Sequence, residues 1–153
     1  MGEMTIIHGR ITLRGKEDSA KQVIAKLGDD AEYPYLRSEM FSIGAVDSRF
    51  YYQQNVIAFA ATYKSLEHDW KSFQAKFEAL LRQLDFDTAK LEMETEFYGS
   101  FHCFWAAKLT NTRFAEKEHL TETDEWFVGY GYRTQFGTLQ VPFDERHSPE
   151  WLP

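Results

Sequence analysis

The stretch Leu91 to Leu109, LEMETEFYGSFHCFWAAKL, decides how this chain folds, because it reads as two strands joined at Gly99-Ser100. Charged and apolar residues alternate along the first strand, and aromatic residues crowd the second. Glycine in the first position of a two-residue loop suits a type II′ turn, whose twist matches that of paired strands. Such a turn sets Tyr98 opposite Phe101, Phe97 opposite His102, Glu96 opposite Cys103 and Glu94 opposite Trp105. Directly opposed residues project to the same side of a sheet. The expected core face then holds Leu91, Met93, Thr95 and Phe97 with His102, Phe104 and Ala106. The expected outer face holds Glu92, Glu94, Glu96 and Tyr98 with Phe101, Cys103, Trp105 and Ala107. A loop of four residues keeps this sorting, and one of three reverses it on one strand.

On this reading Glu92, Glu94, Glu96, Tyr98, Phe101 and Trp105 form a candidate binding surface. Carboxylates beside aromatic faces attract a cation or a basic segment through charge and ring quadrupoles. The competing reading is a solvated sheet face. There Arg10 and Arg14 pair with the glutamates across strands, each exposed pair contributing about 0–1 kcal/mol. The aromatic trio is large enough for an apolar patch of the size that marks interfaces. A second copy of the chain, or Trp151 of the same chain, would cover it.

Before the hairpin, Met4 to Arg14 alternates, with Ile7, Ile11 and Leu13 on one face and His8, Arg10, Thr12 and Arg14 on the other. That pattern predicts a half-buried strand. SAKQVIAKLG places Ala20, Val23, Ile24 and Leu27 at helical spacing, with Asp18 or Ser19 to cap its start and Gly28 to end it. A loop around Pro34 carries Tyr33 and Tyr35, and MFSIGAV suggests a short strand. NVIAFAATY is apolar on both faces and reads as a central strand. In SLEHDWKSFQAKFEALLRQL, residues Leu66, Trp70, Phe73, Phe77, Leu80, Leu81 and Leu84 recur every three or four positions, predicting a long amphipathic helix. Ser65 would cap it, and Glu67 and Asp69 would complement its dipole.

After the hairpin, TNTRFAEKEHLTETDE is a polar connection, WFVGYGYRTQF resumes strand alternation, and LQVPF with Pro142 suggests an edge strand. Gly129 and Gly131 would clear one face of their strand for a bulky neighbour, either Trp105 or the long helix. The order β-α-(β)-β-α followed by a β-meander predicts an α+β fold. Its expected form is one globular domain over residues 1–153, an antiparallel or mixed sheet with two helices packed on one face.

The totals narrow the function. With 153 residues, 43% hydrophobic and 16% aromatic, the chain can bury a core without disulfides or metal. The net charge of −7 opposes nucleic acid, whose phosphates select basic surfaces. FVGYGYRTQF shares aromatic spacing with base-stacking strands but lacks their leading basic residue. No apolar run reaches the roughly 20 residues that span a bilayer, and MGEMTI has no signal-like apolar region. The lone Cys103 suits a reducing cytosol, so the expected location is cytoplasmic.

No motif specifies chemistry. Cys103 has no CxxC partner for zinc, and as a nucleophile it points away from His102 on the same strand. Glu116 and His119 show the spacing of a di-iron helix, and Asp144 to His147 group charges in the tail, but neither has companion ligands. His8 and His68 read as surface histidines and His102 as a core one. No metal site and no cofactor are expected.

The composition therefore favours a non-catalytic cytosolic binding domain for a basic protein partner or a small cationic ligand, inhibitor- or immunity-like in type. One alternative is a small hydrolase-like enzyme with a histidine-containing pocket between sheet and loops, drawing on His8, His102 or the Tyr33/Tyr35 loop. The other is a self-associating structural subunit.

Overall fold

The computed structural model describes residues 3–15, 17–28, 32–43, 55–112, 115 and 120–132. The LQVPF strand with Pro142, Trp151 as a cover for the aromatic patch, the Glu116–His119 pair and the Asp144–His147 group lie outside the described residues. The fold is α+β: among the described residues, a seven-stranded antiparallel sheet with two helices. In chain order the elements are β1 (Met4–Leu13), α1 (Glu17–Ala25), β2 (Phe41–Ile43), β3 (Val56–Lys64), α2 (Trp70–Gln83), β4 (Phe86–Thr95), β5 (Ser100–Ala107), β6 (Thr121–Glu122) and β7 (Trp126–Tyr132). Across the sheet they run β2-β3-β1-β4-β5-β7-β6.

Alternation in β1 turns Thr5, Ile7, Ile11 and Leu13 inward, where all four are buried. They meet α2, whose Trp70, Phe73, Phe77, Leu80 and Leu81 form one buried stripe at helical spacing. The aromatic rings make the contact specific. Phe77 lies 5.4 Å from Phe59 of β3 and 5.0 Å from Trp105 of β5, centroid to centroid. Ala20 and Ile24 of α1 belong to the same core cluster. The chain leaves α1 through Gly28, whose φ of 99° is a backbone conformation that glycine adopts without a steric cost.

Gly9 has a different reason to be glycine. A Cβ there would lie 2.1 Å from the Lys90 carbonyl oxygen and 2.7 Å from the Phe59 ring, which crosses β1 at that point. β3 has a strand on each side, as expected of a central strand, but one of its faces is open. It pairs with β1 along its whole length and, among the described residues, with β2 over Ile57 to Phe59, and Ala58 and Ala60 are exposed. The apolar signal on that face came from alanines, which lose little by facing water.

The start of the long helix also differs from expectation. A 3-10 turn, Leu66–Asp69, precedes α2, and Ser65 does not cap it. Ser65 has φ 53°, outside the extended region an N-cap needs, and its Oγ accepts the Glu3 N–H at 3.1 Å. Glu67 turns inward instead of serving the helix dipole, and is fully buried.

Candidate functional site

The hairpin is real, but its register is not that of a two-residue turn. Glu94 pairs with Ser100, Glu92 with His102, Leu91 with Cys103 and Ala89 with Trp105. Five residues, Thr95 to Gly99, separate the last paired positions, and an odd number turns β5 over relative to the expected sorting. Thr95 organises this loop: its Oγ1 accepts the Tyr98 N–H at 2.9 Å and donates to the Gly99 carbonyl at 2.9 Å. Gly99, with φ 82°, closes it.

The candidate residues therefore separate into three places. Phe101 and Trp105 are in the core, 1% and 0% exposed, so they form no part of an outer surface. Trp105 Nε1 points toward Glu78 Oε2 of α2 at 3.4 Å. Glu96 and Tyr98 lie in the loop beside the start of β1. Glu96 accepts the Met4 N–H at 3.0 Å, and the Tyr98 ring stands edge-on to His68 at 6.2 Å. Only Glu92 and Glu94 stay on the face turned away from α2. His102 joins them there rather than the helix side, although it is only 7% exposed. Phe104 follows it, and Gly129 and Gly131 are the register partners of Phe104 and His102, so they clear this face and not the helix side.

Three adjacent strands bring His8, Glu92 and His102 into one row, flanked by Ala60 on β3 and Gly131 on β7. His8 Nε2 lies 3.3 Å from Glu92 Oε2 and 3.2 Å from Glu94 Oε2. The second Glu92 oxygen is 3.5 Å from His102 Nε2. Two carboxylates thus converge on one nitrogen, and the His8 and Glu94 side chains are each 41% exposed. The arginines act elsewhere: Arg14 binds Asp85 at 2.6 Å and Arg10 donates to Thr88 Oγ1 at 3.1 Å. Arg10 and Lys90 form the next row of the sheet, so the acidic strip is narrow.

Two further features lie apart from the strip, the first beside the Tyr33/Tyr35 loop that the sequence offered for an enzyme pocket. A cleft of about 620 Å3 runs between β3 and the loop of Tyr33, Tyr35 and Arg37, reaching Glu3 and Tyr63. Its described lining carries no histidine. The Tyr63 hydroxyl donates to the Tyr35 carbonyl at 2.5 Å, and burial raises its pKa, so it is not a base near neutrality. The second is a group of Glu3, Glu67 and His68 at the start of β1. The sequence did hold a hint of it. Glu67 precedes Trp70 by three residues, the spacing that puts side chains on one helical face.

Cys103 is buried beneath α2, and burial pushes its thiol far up, which removes it as a nucleophile. No described helix is long and apolar enough to cross a membrane. Compared with family models, with curated proteins and with solved structures, the chain matches none.

Proposed function

We propose that the chain is a non-catalytic binding domain that receives one cationic side chain, an arginine or lysine of another protein, between Glu92 and Glu94. Both helices would then serve the opposite face of the sheet as its support. The observation that carries this reading is the convergence of both carboxylates on His8 Nε2 at 3.2 and 3.3 Å. Two anions that meet at one point favour a cation between them, and charge-assisted hydrogen bonds to such a pair are the strong kind. A histidine ring supplies that charge only when it is protonated. A guanidinium or ammonium group is permanently charged and can replace it. The basic row of Arg10 and Lys90 alongside argues for a single inserted side chain over a broad basic surface. With Phe101 and Trp105 in the core, recognition rests on charge and hydrogen bonding and not on those two rings.

The test is an NMR titration of the full chain with N-acetyl-arginine amide, following the His8 ring signals. Saturable shifts are expected in the wild type, weakening as salt rises. They should vanish in a Glu92→Gln, Glu94→Gln variant. An Asp18→Asn, Asp124→Asn variant carries the same change in net charge at exposed positions away from the strip, and should respond as the wild type does. Unmoved His8 signals, or equal responses from both variants, would sink the proposal.

A further inference from the structure

The start of β1 and the turn before α2 bring together two carboxylates whose inner oxygens lack hydrogen bonds. Glu67 is fully buried. One of its oxygens, Oε2, accepts a hydrogen bond from Thr5 Oγ1, which in turn accepts the Leu66 N–H at 3.0 Å. The other, Oε1, is buried with no hydrogen-bond partner, and so is Oε2 of Glu3. His68 Nε2 lies 3.5 Å from that Glu3 oxygen. Ligand atoms from Glu3, Glu67 and His68 all lie within 4.8 Å of one another.

A buried carboxylate oxygen left without a donor costs free energy, and a second carboxylate facing it adds repulsion. Two arrangements relieve both. A proton can be shared between the two acids, in line with the raised pKa of Glu3, whose largest cause is the facing Glu67 carboxyl group. Alternatively, a cation can sit among the three groups.

We infer that Glu3, Glu67 and His68 form a binding site for a divalent first-row metal ion. Three features support the ion over the proton. An imidazole completes the set, which suits zinc-like ions better than calcium or magnesium, whose ligands are oxygens. Glu67 is oriented from behind by the Thr5 hydroxyl, as metal-ligating carboxylates are oriented by outer hydrogen bonds. Access is open as well, because the His68 side chain is 53% exposed and that of Glu3 30%. Nitrogen and oxygen atoms about 2.0–2.2 Å from a common zinc ion stand close enough that small side-chain rotations would bring these three to it.

The site is separate from the His8, Glu92 and Glu94 strip, which is the other described group with ligand atoms this close, and the experiment distinguishes them. The full chain, stripped with a chelator, is titrated with zinc chloride by calorimetry, and its thermal unfolding is followed with and without the ion. The wild type should bind one ion tightly and melt higher with it, since a ligand held only by the native state stabilises that state. Glu3→Gln and His68→Ala alter partly exposed positions, so both variants should stay folded, as checked by circular dichroism. Each should weaken the tightest binding by at least about tenfold, no less than loss of an outer-shell partner does. His8→Ala should leave that event unchanged. Absence of zinc binding in the wild type would overturn the inference and leave the shared proton. So would affinity unchanged in both Glu3→Gln and His68→Ala, or a tightest event lost with His8→Ala alone.

Discussion

The β4–β5 hairpin has two faces built on the same backbone, and they differ in what a change of register would cost. Toward α2 it presents Ala89, Leu91, Met93, Phe101, Cys103 and Trp105, all almost fully buried. Away from α2 it presents Lys90, Glu92, Glu94, His102 and Phe104. Slipping one strand by a residue would exchange that strand's inward and outward residues. Moving a Phe or Leu from core to water costs about 1.5–3 kcal/mol each. Re-pairing exposed ions costs about 0–1 kcal/mol. The core side therefore sets the register, and the convergence of Glu92 and Glu94 on His8 follows from it. The acidic strip thus rests on hydrophobic packing on the other side of the sheet.

The strongest way to break the comparison is Trp105→Ala. Trp105 is fully buried and its ring meets Phe77 at 5.0 Å and Tyr130 at 6.4 Å. Removing so large a side chain from a packed core costs about 3–5 kcal/mol. Glu94→Gln, on the opposite face of the neighbouring strand, should change stability by about 0–1 kcal/mol. Urea unfolding of both variants measures the contrast, and losses of similar size would show that the two faces are not unequal in the way argued.

Gly9→Ala tests the same face with one added methyl group. The clash is with the Lys90 carbonyl oxygen and the Phe59 ring, at 2.1 and 2.7 Å. The carbonyl belongs to the strand paired with β1 and cannot withdraw without loosening that ladder. Overpacking of this kind costs about 1–3 kcal/mol. A neutral outcome in the same urea assay would mean that β1 and β4 can separate locally at no cost.

How much of this was legible depended on which signal dominated. The inward residues of β1, the stripe on α2 and the existence of the hairpin follow from periodicity, because burial itself imposes the period. The turn misled, because Gly99-Ser100 matches a good two-residue loop locally while Thr95 and Gly99 close a longer one. The better guide was β5 itself: Phe101, Cys103, Trp105 and Ala107 alternate as a core face, and sorting them with Leu91 and Met93 would have predicted the flip. Of the candidate surface, Glu92 and Glu94 kept the expected face, while Phe101 and Trp105 lost it with the register. Glu67 was read as a helix-dipole acid because its three-residue spacing from Trp70 is a weak signal and does not show that Thr5, some sixty residues earlier, would draw it inward.

The smallest expected effect lies outside both faces, at an ion pair in solvent. Arg82, at the end of α2, holds Glu125 in a two-pronged pair at 2.7 and 3.0 Å while its guanidinium covers the Trp126 ring at 5.1 Å. The hydrogen bonds from Arg82 keep the Glu125 carboxyl below its ordinary pKa. In the folded chain Glu125 therefore gives up its proton at a lower pH than in the unfolded chain. Between the two values the unfolded state binds more protons, so stability rises with pH there. The contribution is complete above the ordinary carboxylate range, near pH 4.3, and disappears as pH falls through the lowered value. Both side chains are about half exposed, at 49% and 46%, so solvent and salt screen the pair and the effect is small. Glu125→Gln should melt slightly below the wild type at neutral pH and converge with it in strong acid. A gap that persists in acid would assign the role of residue 125 to packing on Trp126, and the pair would then join the buried side of the comparison.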